Sequence, residues 1–349
     1  HISHCYNPQP TEPSVRTKRS TSIMADEVFR FSDLALEIQL LIFEQFDRPT
    51  LHCAVQVNKR WHDMSASLLW RGPSIRRLGT FAHLQCLQRR QYYASKIQTL
   101  ESRTLGLTFF LDNDTFSSLK VLRLLVHPRV PQTMVNLDPY LQSRLTALSL
   151  RGCELRQHSL DLISSRCPAL TKLELCGPLV DVEDSEFANF IRSLSCLRQI
   201  FLAYMFDVSA ATLMFNVNTE VLAPKIERLG LYGLTDFPNP EPFRKFMMNC
   251  RSLQRLTIQS RTGRRPLRLM TSSVLAHVMN ANPLHHIWGD WLNPGLLEQI
   301  PVSSTSLQSF GKLRSLTKWG CSSSALSILL QSSDRLERLE LCLYDVTTQ

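Results

Sequence analysis

The chain has 349 residues, 44% of them apolar, with 57 leucines, 12 glycines and a net charge of +9 at pH 7. That composition excludes a mainly disordered protein. Charged or strongly polar residues break every stretch of ~18, which excludes a transmembrane helix, and the head lacks the apolar run of a secretory signal. The length suits two or three domains or one elongated array. The positive excess is local: residues 71–103 hold seven Arg or Lys against the single acid Glu101, and residues 249–270 hold six Arg and no acid. Neither window adds a groove-reading motif or a row of stacking aromatics, so nucleic-acid binding is the disfavoured reading of the charge. Solvated turns, or a grip on an acidic or phosphorylated segment, both remain open for these arginines.

No leucine occurs before Leu34. Residues 1–30 are expected to be a disordered tail, and because Met24 opens MADEVFRFSDL, residues 1–23 read either as part of that tail or as sequence upstream of the true start. Residues 31–71 predict three short helices. Leu34, Ile38, Leu41, Ile42 and Phe46 recur at helical spacing as one apolar stripe. Ser32 and Asp33 sit where a cap would be, and Glu37 lies in the first turn, favourable to the helix dipole. Asp47-Arg48-Pro49 ends that helix and starts a second, with proline early in it. A polar turn at Asn58 leads to Trp61, Leu68, Leu69 and Trp70. Three helices in so few residues make a small core, and much of their apolar surface calls for a partner.

This segment is similar to an F-box, a family whose pattern runs as a Leu-Pro start, a Glu, paired aliphatics, a Val-Asn/Ser-Lys-Arg-Trp turn and a closing Leu-Trp. The sequence supplies Leu34, Glu37, Ile38, Leu41-Ile42-Phe43, Val57-Asn58-Lys59-Arg60-Trp61 and Leu69-Trp70. It departs at Ala35, where the family has proline; alanine still starts a helix, but a proline contact is lost. The resemblance implies docking on a Skp-family adaptor, which links to a cullin and a RING ubiquitin-ligase core. The implied adaptor-binding residues are Leu34, Ile38, Leu41, Ile42 and Phe46, with Val57 and Trp61. A helix seated in a partner's groove is a recurring recognition mode. The competing reading makes the same helices an N-terminal cap for the remainder of the chain.

Residues 72–94 read as a linker or a first irregular repeat. From residue 95 the pattern L-x-x-L-x-L recurs: IQTLES at Ile97, LKVLRL at Leu119, LTALSL at Leu145, LTKLEL at Leu170, LRQIFL at Leu197, IERLGL at Ile226, LQRLTI at Leu253 and LERLEL at Leu336. LHHIWG at Leu284 and LRSLTK at Leu313 keep the first two anchors and break the third. Nine steps cover 239 residues, about 27 each. The last two anchors of a unit are two apart and so share one face of a strand. Leu160, Ile163 and the Cys167-Pro168 stop predict a helix between strands. Such a unit cannot bury both apolar faces alone, and stacking produces a solenoid with parallel strands on its concave face and helices on its convex face. The array resembles leucine-rich repeats, Cys167 and Cys250 before the anchor matching the cysteine-containing subtype. The expected fold is therefore α/β, a leucine-rich-repeat solenoid over 95–349 preceded by a small all-α F-box at 31–71. LERLELCLYDVTTQ lacks a polar end cap, so the array reads as truncated.

Function in such an array belongs to the residues between anchors. The expected substrate-binding set is Lys172, Phe201, Arg228 and Tyr232, then Arg255, His286 and Trp288; Glu174 and Thr257 alternate onto the same face. Aromatics flanked by arginine have the composition of a binding hot spot. Trp288 and Trp319, where the pattern breaks, could instead fill a register shift. The ten cysteines are spread singly and read as reduced, mostly buried thiols of the cytoplasm or nucleus, without zinc spacing. Asp181, Glu183, Asp184 and Glu186 read as a turn and helix start rather than a cation site. No nucleotide, zinc-protease or nucleophile-elbow motif occurs, so neither an enzyme nor a cofactor is expected. The expected function is a substrate-recognition adaptor of a cullin-RING ligase, with a Skp-family adaptor, a cullin behind it and an unidentified protein target as partners, and no membrane. A repeat scaffold, and a nucleic-acid-binding protein using the arginines of 249–270, are the competing readings.

Overall fold

In the computed structural model, the described residues are 30–74, 78–79, 81, 84–102, 116–126, 137–203, 208–234, 239–260, 270–289, 312–319, 327, 330–331 and 335–341. The expected tail, the end of the array, and Arg261, Arg264, Arg265 and Arg268 of the second basic window lie outside them. The chain forms two compact units, residues 1–46 and 47–349.

In the first unit a 3-10 turn, Phe31–Asp33, precedes α1, Leu36–Glu44. The expected cap at Ser32 and Asp33 is corrected: the backbone N–H of Arg30 donates to the Asp33 carboxylate at 3.2 Å, closing the turn instead. Ala35 occupies the cap position and offers no side-chain acceptor. The Gln39 side-chain amide donates back to the Leu34 carbonyl at 2.6 Å, holding the extended Leu34-Ala35 step ahead of the helix. Leu34 and Phe46 therefore flank α1 rather than belong to it. The helix buries Gln39 and Phe43, and the Phe43 ring lies 5.9 Å from that of Phe31 and 5.0 Å from that of Phe46.

The second unit opens with α2, Arg48–Ala54, and α3, Lys59–Trp70. Both have side-chain caps: the Thr50 N–H donates to Asp47 and the Trp61 N–H to Asn58, each at 2.9 Å. Helix α4, Leu87–Ala94, packs on α3 through Tyr92, whose hydroxyl donates to Asp63 at 2.6 Å, and through Tyr93, stacked on Trp70 at 4.7 Å.

Ten parallel strands come next, each hydrogen-bonded to its successor in chain order: β1 Thr99–Ser102, β2 Val121–Leu125, β3 Ala147–Arg151, β4 Lys172–Cys176, β5 Gln199–Ala203, β6 Arg228–Leu234, β7 Arg255–Ser260, β8 His286–Gly289, β9 Ser315–Trp319 and β10 Arg338–Leu341. Helices α5 Gln157–Arg166, α6 Asp184–Ser193, α7 Val208–Asn218, α8 Glu241–Asn249 and α9 Ser272–Ala281 connect β3 through β8. Parallel strands require such crossovers, and crossovers of one hand stepping in one direction all fall on the same side of a sheet.

The repeat register is the strand register. The middle anchors Leu100, Leu122, Leu148, Leu173, Ile200 and Leu229 face one another on successive strands. Leu256, Ile287, Leu316 and Leu339 continue the row. Anchors and helix residues such as Leu160, Ile163, Phe187 and Phe246 form one buried core. The same carbonyl position recurs as a double acceptor before each strand. Thr146 O accepts from the N–H groups of Thr171 and Lys172 at 2.9 and 3.0 Å, and Thr171 O from those of Arg198 and Gln199, both at 2.9 Å. The series begins at Arg71 O, just past α3, which accepts from Gln98 and Thr99 at 2.9 Å each. Buried amides tie neighbouring crossovers together: Asn282 accepts from the Leu253 N–H at 2.9 Å and donates to the carbonyls of Cys250 and Val278.

Three expectations are refined. Trp288 sits in an unshifted ladder, opposite Thr257 and Thr317; the register shifts instead between Tyr232 and Leu234 and beside Trp319, which pairs with Leu341. Glu183 and Glu186 form a capping box at the start of α6, the Glu183 N–H donating to Glu186 at 2.9 Å. Among the described residues the thiols divide: Cys153, Cys167 and Cys250 are buried, Cys176 is half-buried, and Cys53, Cys86 and Cys196 are exposed, because only the first three occupy core positions. Burial pushes the Cys250 thiol up to about 12.

Replacing Leu173, fully buried in the centre of the sheet, with alanine is expected to cost ~2–5 kcal/mol. Leu125→Ala, at an outward position, should cost less than ~1 kcal/mol; equilibrium denaturation of the two variants checks the difference.

Candidate functional site

Two surfaces carry the residues singled out by the sequence. On α1, Ile38 and Leu41 are 44% and 55% exposed and, three apart, project on the side opposite Gln39 and Phe43. Leu34, Ile42 and Phe46 are half-buried. The predicted single stripe is thus split: the helix is apolar nearly all round, so its spacing could not say which side packs inward, and Phe43 takes the core position. Leu36, 49% exposed at the first turn, was missed for the same reason. In the second unit Val57 is 58% exposed, and Trp61, in the first turn of α3, is half-buried.

The other surface is the sheet face opposite the helices. One row runs Lys172, Gln199, Arg228, Arg255, His286, Ser315 and Arg338 on consecutive strands from β4. A second, two residues on, includes Glu101, Arg123, Ser149, Glu174, Phe201, Gly230, Thr257 and Trp288. A third carries Arg151, Cys176, Ala203 and Tyr232. All seven residues of the expected substrate-binding set share this face. Thr257 shares it too but is 4% exposed, lying beside Tyr232 in the same hollow. Arg151 and Arg338, absent from the expected set, were legible by carrying the alternation to the first and third outward positions of every strand.

Phe201 lies flat against Gly230, where a Cβ would sit 2.3 Å from the ring; only glycine at this point of β6 admits the ring. The Lys172 ammonium stands 5.6 Å from the centre of the same ring, a cation–π arrangement. Beside them Arg151 pairs with Glu174, its Nε donating at 2.7 Å. Arg151, Glu174, Cys176, Phe201 and Tyr232 border a hollow of about 440 Å³. A second hollow, about 290 Å³, lies between Tyr232, Arg255, His286, Trp288 and Arg338. The Tyr232 and Trp288 rings there are 5.8 Å apart, inclined at 43°. Burial, then Arg255 and Arg338, hold the His286 imidazole below its ordinary 6.5. Among the described residues no group of three or more His, Cys, Asp or Glu is placed to hold a metal ion, and no helix is long and apolar enough to cross a membrane.

A family model described as F-box-like matches residues 31–76. The chain thus carries an F-box-like domain, a helical region followed by the ten-stranded parallel α/β region. No curated protein matches the chain.

The backbone ahead of α1 and the arginines around His286 each give a measurable outcome. Ala35 holds φ −55° and ψ 147°, and Leu34 before it is also extended at φ −66° and ψ 144°, so proline fits at 35. Ala35→Pro is expected to stabilise the start of α1 by ~0.4–1 kcal/mol through the unfolded chain, read as slower amide exchange in α1. His286 should titrate below 6.5 in NMR and move upward in Arg255→Met. Because its folded value is depressed, stability is present above 6.5 and falls as the pH drops through the folded value.

Proposed function

We propose that this chain is the substrate-recognition subunit of a cullin-RING (SCF-type) ubiquitin ligase. The observation that carries the reading is the F-box-like match at 31–76, since F-box domains generally bind Skp-family adaptors. The adaptor would meet Ile38 and Leu41 on α1, flanked by Leu34, Ile42 and Phe46; Val57 and Trp61, in the second unit, are the further adaptor contacts that the F-box resemblance implies. Leaving Ile38, Leu41 and Val57 about half exposed to water has a cost that a partner's groove would remove. The α/β region would be a leucine-rich-repeat solenoid: ten strands in chain order, one per unit, with anchors in a continuous row, support that reading. Its outward face would hold the target, and the adaptor and cullin would bring the ubiquitin-transfer chemistry, in the cytoplasm or nucleus.

A second reading, a repeat scaffold capped by the N-terminal helices, is favoured by one observation: the Arg71 carbonyl, just past α3, starts the first strand, and Trp70 packs against the core of the sheet region. The two readings separate at Leu41. Since its side chain is 55% exposed, Leu41→Asp should leave the melting temperature within a few degrees of the parent while affinity capture of the adaptor falls at least tenfold. Capture at the parental level would leave the scaffold reading standing.

A further inference from the structure

The sheet face is electrostatically two surfaces. Toward β1 its arginines are matched: Arg123 pairs with Glu101 at 3.7 Å, and Arg151 pairs with Glu174. At β6 and β7 they are not. Arg228 and Arg255 have no carboxylate within ion-pairing distance among the described residues, and His286 and Arg338 stand in the same row. Burial first, then Arg255 and Arg338, depress the His286 imidazole, in keeping with the surplus of positive charge that Arg228 and Arg255 bring to the row.

We propose that the β6–β10 part of this face binds an extended acidic segment of a protein, its carboxylates meeting Arg228, Arg255, His286 and Arg338 while one apolar side chain enters the hollow between Tyr232 and Trp288. The inference rests on the repeat-face reading above and names the chemistry of its target. Strands lie about 4.8 Å apart, so Arg228 to Arg338, four strands, spans about 19 Å, which an extended peptide covers in about six residues. Cations spread along a line of that length suit a chain with repeated charges rather than a single anionic group. Toward β4 the row is interrupted by the uncharged Gln199, and Glu174 beyond it is already matched by Arg151. Its aromatics also suit a peptide better than bases. One face of Phe201 is covered by Gly230 and Lys172 stands near its ring. Tyr232 and Trp288 form a tilted wedge rather than parallel stacking platforms.

The test uses the full chain and fluorescence anisotropy with four labelled probes: a short Glu-rich peptide with a central leucine, its Gln-rich and Lys-rich counterparts, and an oligodeoxythymidylate. The Glu-rich peptide should bind about tenfold or more tightly than the Gln-rich one, the size expected for charge-assisted contacts. The double variant Arg228→Glu/Arg255→Glu should lose that binding and acquire binding to the Lys-rich peptide, a gain that misfolding cannot produce. Lys245→Glu, exposed on helix α8, should leave binding unchanged. Equal affinity for the Glu- and Gln-rich peptides, no binding of the Glu-rich peptide, or an unaffected double variant overturns the proposal. So does preferential binding of the oligonucleotide with a steep salt dependence. Adaptor capture by the double variant is expected at the parental level. Failure of the peptide with adaptor capture intact removes the acidic-segment inference alone, whereas failure of the parent chain to capture the adaptor removes the ligase reading.

Discussion

Everything on the sheet face depends on register. Each strand is started by one carbonyl of the preceding unit that accepts two successive N–H groups, as Thr146 O does for Thr171 and Lys172. The two anchors of that unit's strand, Leu173 and Leu175, then face the core together. A slip of one residue would reverse this, turning Lys172, Glu174 and Cys176 inward and the leucines out. Charges without partners in a core cost far more than the few hydrogen bonds a slip leaves intact, so packing and backbone pairing enforce the same alignment. The presentation of Arg228, Arg255 and His286 in one row is a by-product of burying Leu229, Leu256 and Ile287.

A parallel sheet built one strand at a time leaves an open first edge, and such an edge invites pairing with other chains. Here the Arg71 carbonyl takes the place that an earlier repeat would occupy, and Trp70, stacked on Tyr93, covers the adjacent apolar surface. The F-box-like region therefore presents two different surfaces. Its third helix begins the ladder of the sheet, while the apolar side of α1 at Ile38 and Leu41 stays in water. The helix that starts the ladder and the helix with exposed apolar side chains are thus different ones.

The division of charge along the face arises from which residues stand opposite each other on neighbouring strands. Arg151 and Glu174 meet across β3 and β4 and cancel. Arg228 and Arg255 meet across β6 and β7, and among the described residues neither pairs with a carboxylate. Glycine at 230 has a part in this pattern, because the space above it is filled by Phe201 rather than by a side chain of β6.

The sequence alone determined the repeat unit, its strand register and which face each residue takes, because the spacing of two between anchors and the recurrence of about 27 residues leave one way to bury the leucines. The F-box-like pattern was equally legible, carried by Val57 through Trp61 and by Leu69-Trp70. Tertiary structure decided what periodicity cannot express. Helix α1 is apolar on both sides, so only packing chose Phe43 and Gln39 for the interior and left Ile38 and Leu41 outside. Thr257 alternates outward yet is buried, and Trp288 joins an unshifted ladder although its motif is broken. The matching of Arg151 with Glu174, and the lack of any such match for Arg228 and Arg255 among the described residues, arise between strands more than 20 residues apart. Pairings over that distance depend on which outward positions come face to face, a property of the assembled sheet and not of any one repeat.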